Sequence, residues 1–195
     1  TVANQMLAVL KQGYTTAELR RTEFVGPQVG EELTEQGALA MLFAMLMILA
    51  YIMVRFQWKF AVGAIVATLH DPIITLGFFA LTGLTFDLSV LAAMLAVVGY
   101  SVNDTIVVFD RIRENFRKIR RGTPLDIINL SVNETLSRTI MTSFTTSLVV
   151  IAMLLFGGET LRGFSTALII GIPIGTYSSI FVASALALAL KASPV

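Results

Sequence analysis

The sequence predicts an all-α polytopic membrane protein, a bundle of five spanning helices. Five apolar runs, each near the roughly 20 residues that cross a bilayer, follow one another between residues 37 and 190. Mean hydropathy is +0.79, and 55% of the 195 residues are hydrophobic against 14% charged. Such a chain has too few polar groups to cover a soluble domain. Basic residues gather in alternate connections between the runs, as they do when successive helices reverse direction across a membrane. The net charge of +1 says little by itself, and the absence of cysteine excludes disulfides and thiolate metal ligands.

Residues 1–36 are polar, with three basic and five acidic residues and an acidic cluster at Glu31, Glu32 and Glu35. They read as the C-terminal remnant of a water-exposed domain and its linker. Thr1 is not an initiator Met and no signal-peptide pattern opens the chain, so the sequence is expected to begin inside a longer protein. VGPQVGEEL at 25–33 places Gly and Pro where a turn or strand end gives way to a helix.

The spans are expected at 37–56, 60–82, 88–109, 136–156 and 164–190. An odd number puts the two ends on opposite sides. Arg55 and Lys59 join the first two runs, six basic residues lie between Arg111 and Arg121, and Lys191 follows the last. The other two connections hold only Arg162, so the positive-inside rule assigns them and the N-terminal part to the outside, and the tail 191–195 to the cytoplasm.

The cytoplasmic loop 110–135 opens with DRIRENFRKIRR, which keeps helical spacing, with Ile112, Phe116 and Ile119 on one face. Arg111, Arg113, Arg117, Lys118, Arg120 and Arg121 surround that face. They fix topology and touch anionic lipid headgroups, or form a docking surface for a cytoplasmic partner. Gly122 breaks this helix, and Thr123 as N-cap, Pro124 at the first position and Asp126 near the start begin another. In the last span Ala167, Gly171, Gly175, Ser179, Ala183 and Ala187 set a small residue at every fourth position, a stripe that lets another helix approach closely.

Four ionisable groups fall within the spans: His70, Asp71, Asp104 and Arg138, with Asn103 beside the third. An acid placed there costs about 2.5–3.5 kcal/mol on insertion scales, so it is read first as functional. At about 1.5 Å per residue, Asp104 lies about two turns from the cytoplasmic end of its helix, and Arg138 about one turn inside the antiparallel next one. The two therefore reach comparable depth, close enough for an ion pair or a water-bridged pair. A carboxylate in such a place loses and regains a proton as a cation approaches and withdraws; the alternative is a static pair that holds the bundle together. Around Arg138 the hydroxyls of Thr142, Ser143 and Thr146 either bond back to their own helix or line a hydrated path. His70-Asp71-Pro72 marks a helix kink with freed carbonyls, with Asp71 satisfied by neighbouring backbone or hydroxyl groups, or an accessory polar relay. A lone histidine offers no His-based metal cluster.

HDPIITLGFF in the second run, GYSVNDTIVVFDRIRENFRKIRRGTP leaving the third, and TLSRTIMTSFTTS with FGG in the fourth, together with VGPQVGEEL, resemble successive motifs of the SecF branch of the SecD/SecF protein-export family. The resemblance covers nearly the whole chain, and GYSxND followed by DRIREN is highly specific. It implies an RND-type helix bundle preceded by the end of a soluble exterior α/β domain, in the bacterial inner membrane. It also implies a complex with SecD that assists the SecYEG channel and SecA motor, using the proton motive force to complete export of unfolded preproteins, with YajC and YidC as further partners. Carried over by motif, the essential membrane carboxylate falls on Asp104 and the essential arginine on Arg138, with another aspartate supplied by SecD. The family's first membrane helix and most of its exterior domain have no counterpart here.

No enzymatic activity, cofactor or nucleic-acid partner is expected. An RND-type proton-coupled exporter of small molecules or ions is the alternative, and would need a larger exterior domain than residues 1–36. An intramembrane aspartyl protease using Asp71 and Asp104 is disfavoured, because Tyr-Ser-Val-Asn precedes Asp104 where such enzymes carry GxGD.

Overall fold

Apolar periodicity, caps and glycine pairs divide the chain into helices joined by very short connections. The computed structural model describes residues 8–9, 27–56, 58–119 and 122–190. Most of the expected domain remnant, Arg120, Arg121 and the tail 191–195 lie outside the described residues. The elements are α1 (Pro27–Arg55), α2 (Trp58–Thr82), α3 (Leu88–Lys118), α4 (Pro124–Phe156), α5 (Gly158–Tyr177), a π-helical segment (Ser178–Ala183) and α6 (Ser184–Ala189). The last three run on as one rod, so five helices are long and apolar enough to cross a membrane. No strand occurs among the described residues.

The chain forms two units, residues 1–36 and residues 37–195. In the first, besides residues 8–9, the described part is the opening of α1, where Gln36 Nε2 donates to Glu32 Oε1 at 3.0 Å. The second is the helix bundle.

Each helix boundary has a local cause. Pro27 stands at the start of α1, where its missing N–H costs nothing, so α1 begins ten residues before the apolar run. In α3, Asp87 caps the N-terminus by accepting from Val90 N at 3.0 Å. The helix does not stop with the apolar run but continues to Lys118. Thr123 and Asp126 form a reciprocal capping box: Thr123 Oγ1 accepts from Asp126 N at 3.3 Å, and Asp126 Oδ2 accepts from Thr123 N at 3.0 Å. That box starts α4 twelve residues before the fourth apolar run, leaving only residues 119–123 between α3 and α4. Between α4 and α5 the chain reverses at Gly157 and Gly158, and Gly158 has φ +68°, a conformation glycine adopts without strain. The fifth rod therefore begins at 158 instead of the expected 164, and Arg162 lies within it.

Two apolar clusters divide the bundle along its length. One joins Phe56, Phe60, Ala64, Ala67, Phe109 and Ala183 toward the α1–α2 connection, with the Phe60 and Phe109 rings 5.0 Å apart. The other joins Phe79, Val90, Met94, Val97, Ala167 and Ile172 toward the opposite end. Between them every central helix turns polar: Thr68, Asp71 and Thr75 on α2, Ser101, Asp104 and Thr105 on α3, and Ser178 and Ser179 on the π segment, all buried. This polar waist crosses the middle of the bundle.

The small-residue stripe of the fifth rod is buried along its length. Gly171 lies directly against the Val97 side chain, and Ala183 O comes within 3.3 Å of where a side chain on Gly63 would begin. Lipid supplies no hydrophobic drive between helices, so such close approach is where packing energy is gained.

Candidate functional site: a polar waist above a charged cleft

Asp104 sits in the waist on α3, 3% exposed. Its Oδ2 has no hydrogen-bond partner among the described residues, although a buried acceptor left unpaired costs about 1–3 kcal/mol. The charge that acts on it through space is Arg138 of α4. No direct ion pair within 4.0 Å joins the two. The expected contact is therefore electrostatic across a gap. Helical geometry accounts for this, because one residue step turns about 100°: Thr135 and Thr139 take the buried side of α4, which leaves Arg138 on the exposed side.

Arg138 lines a cleft of about 780 Å³ with Asp110, Arg111, Glu114, Glu134 and Arg55. Around the cleft, ion pairs clasp the extensions of the helices beyond their apolar runs. Arg55 Nη2 bonds Asp110 Oδ1 at 2.9 Å. Arg111 Nε and Asn115 Nδ2 both donate to Glu134 Oε2 at 2.7 Å. Arg111 Nη1 and Lys118 Nζ share Glu114 at 2.7 and 2.6 Å. The amide of Asn115, with the Arg111 guanidinium, holds the Glu134 carboxyl below its ordinary range. Arg113 donates to Arg55 O at 3.0 Å, and Arg117 lines the cleft. Of the basic set, Arg111 and Lys118 are thus engaged by acids of their own chain.

The hydroxyls of α4 divide in two. Thr142 Oγ1 donates to Arg138 O and Thr146 Oγ1 to Thr142 O, both at 2.8 Å, so these turn back on their own helix. Ser143 instead accepts from Tyr100 Oη at 2.8 Å and lies 2.6 Å from Thr176 Oγ1, linking α3, α4 and α5. Tyr100 was not singled out from the sequence. Its position one turn before Asp104, on the same helix face, was the available signal.

Asn103 is exposed on the surface of α3, where Ala92, Ala96 and Gly99 are exposed in register with it. On α2, His70 Nδ1 lies 3.0 Å from Asp71 Oδ1. Asp71 is fully buried and its Oδ2 is unpartnered. Its partner is thus the adjacent imidazole, not the backbone or hydroxyl groups expected at a kink, and α2 runs unbroken through Pro72. Gly175 abuts Asp71 and Ser101, and Ser179 Oγ donates to Thr176 O at 3.0 Å. Among the described residues no group of three or more His, Cys, Asp or Glu could hold a metal ion.

The family profile of the protein-export membrane proteins SecD/SecF, C-terminal region, matches residues 5–193. The chain is 57% identical over 191 residues to a protein named protein translocase subunit SecF from Vibrio alginolyticus, covering 97% of this chain and 61% of that protein. It is 52% identical over 190 residues to the Escherichia coli O157:H7 protein of the same name, covering 97% and 59%. The chain thus spans about three-fifths of the length of these relatives. A crystal structure of SecDF, described as a translocon-associated membrane protein, from Thermus thermophilus superposes with a TM-score of 0.83 at 46% identity, covering 94% of this chain and 26% of that one. With five apolar helices, a buried acid on the central one and these matches along nearly all its length, the chain belongs to the SecD/SecF family of protein-export membrane proteins.

Proposed function

We propose that this chain is the membrane part of a SecF-type subunit that uses the proton motive force to promote preprotein export through the Sec translocon. The observation that carries the reading is Asp104: a carboxyl with an unpartnered oxygen, buried between helices, with Arg138 across a gap beside a charged cleft. A buried carboxylate needs a proton or a cation. Movement of α4 that brings Arg138 toward Asp104 favours the ionised form and releases the proton. Withdrawal favours uptake. Each cycle thereby ties a proton to a change in helix packing, which is the coupling a gradient-driven export step requires.

In this reading the cleft faces the cytoplasm, since Arg111, Arg113, Arg117 and Lys118 surround it, and the chain lies in the inner membrane with its C-terminus inside. Residues 1–36 are the end of an exterior domain. A SecD-type partner packs on the open face of α3, where Ala92, Ala96 and Gly99 allow close approach and Asn103 would have no polar partner in lipid. That partner supplies the remaining carboxylate of the path, and the pair acts on the SecYEG channel.

The test is Asp104→Asn in the full subunit assembled with its partner. Insertion and assembly are expected to persist, because the side chain keeps its shape, while proton-dependent stimulation of export in inverted vesicles is lost. Stimulation at the level of the unaltered protein would overturn the proton role.

A further inference from the structure

Asp71 is a second fully buried carboxyl in the waist, and the reading above gives it no role. Asp71 Oδ1 is held by His70 Nδ1 at 3.0 Å, and the histidine side chain is 30% exposed at the bundle surface. Oδ2 points inward. It lies 3.5 Å from where a side chain on Gly175 would begin, and Ser101 Cβ lies 3.2 Å from the same point. Neither Asp71 Oδ2 nor Ser101 Oγ has a hydrogen-bond partner among the described residues, although both are shielded from solvent. Glycine at 175 thus leaves the acid and Ser101 facing one small space, with no hydrogen bond between them.

Ser101 stands three residues before Asp104 and four before Thr105 on α3. Those spacings put all three on one face, with Cβ atoms about 5–6 Å apart. All three carry a buried oxygen without a partner. Asp71 is held by a side-chain partner only on the side that reaches the surface.

We propose that the His70–Asp71 pair is a second proton-binding site of the bundle, joined to Asp104 through Ser101. It rests on the proton-coupled reading above and deepens it by naming an entry point. Asp71 lies nearer the α2–α3 connection than Asp104 does, level with Ser101. In the proposed orientation that is the exterior side, and Asp104 is one turn closer to the cytoplasmic cleft.

The chemistry balances at each step. A proton leaving Nδ1 of the His70 imidazolium for Asp71 Oδ1 breaks an N–H bond and forms an O–H bond, so two opposite charges vanish and the pair stays neutral. Once the carboxyl has turned its protonated oxygen toward Ser101 and the helices have moved so that the Ser101 hydroxyl bridges both acids, Asp71 gives its proton to that hydroxyl as the hydroxyl passes its own to the Asp104 carboxylate. Asp71 is left ionised, Asp104 neutral and Ser101 unchanged. The next proton arriving at His70 restores the pair.

Of the elements packed against α2, α3 brings Tyr100 and Asp104 to this level, α5 brings Tyr177, and the π segment and α6 carry no titratable side chain. None of the three is bonded to Asp71, and Tyr100 is engaged by Ser143. Arg138 belongs to α4 and acts on Asp104.

The experiment uses the full subunit with its partner in proteoliposomes, measuring proton uptake under an imposed gradient. Asp104→Asn is the control. Asp71→Asn is expected to lower uptake roughly a hundredfold, the lower end of what a positioned proton-transfer group contributes, with assembly retained. His70→Gln is expected to move the midpoint of uptake against pH, which a merely structural contact would not do. Infrared titration should show a carboxylic-acid band that Asp71→Asn removes. If Asp71→Asn fails to assemble, Ser101→Ala and His70→Gln, which keep the carboxyl, carry the test and are expected to slow uptake. Loss of uptake in Asp104→Asn with the unaltered rate and pH profile in all assembled His70, Asp71 and Ser101 variants overturns this inference alone. Unaltered uptake in Asp104→Asn overturns the underlying reading instead.

Discussion

Asp104 and Arg138 divide one task between a buried group and an exposed one, and that division governs how substitutions should behave. Among the described residues Arg138 makes no two-pronged contact with a carboxylate, so its planar fork is not used in this conformation and its charge is. Arg138→Lys is therefore expected to keep most proton-dependent export and Arg138→Gln to lose it; equal loss in both would show that the fork is needed at another stage of the cycle. Glu134 is governed by its partners rather than by depth. Asn115 first, then Arg111, holds its carboxyl below the ordinary glutamate value of 4.5. A depressed folded-state value means the contact stabilises the protein above that pH, and the contribution is lost as pH falls through the lowered value. Amide exchange at the end of α3 and the start of α4 is expected to quicken on acidification over that range in the unaltered protein and to change little in Glu134→Gln. Parallel acid-induced quickening in both would place the responsible group elsewhere.

Helix ends and close approaches determine how the elements meet. Removing the Thr123 hydroxyl unmakes one half of the capping box, so Thr123→Ala should lower stability by about 1 kcal/mol and fray the first turn of α4. Thermal unfolding in detergent, read with exchange at residues 124–127, measures both. On the fifth rod, Gly171→Val drives a side chain into Val97, and overpacking of this kind costs about 1–3 kcal/mol; an unchanged unfolding temperature would show that α3 and α5 can separate freely. The stripe of small residues was legible because lipid-embedded packing leaves a four-residue period in the sequence. The π segment was not, because SSIFVA carries no mark distinguishing a wider turn from an ordinary one. The start of α5 was missed for a related reason, whereas Pro27 and the Thr123–Pro124 cap had marked those of α1 and α4. Hydropathy locates the part of a helix that lies in lipid, whereas caps and glycine pairs locate its ends.

At the scale of the whole molecule, two apolar clusters close the bundle at either end of a polar layer, and α3 threads all three. The five spans could be read from composition, and the depth of Asp104 and Arg138 from residue counts, because both depend on distance along a helix axis. Rotation about that axis could not be counted so well. It puts Arg138 in the cleft, Asn103 on the open face and Ser101 beside Asp71, and it is fixed by packing that no single helix specifies. The account places one essential proton at Asp104, and the direct measurement is proton flux in vesicles carrying the complete subunit with its partner under an imposed pH gradient. Asp104→Asn is predicted to assemble normally and to abolish gradient-driven flux; flux at the unaltered rate in that variant would contradict the account.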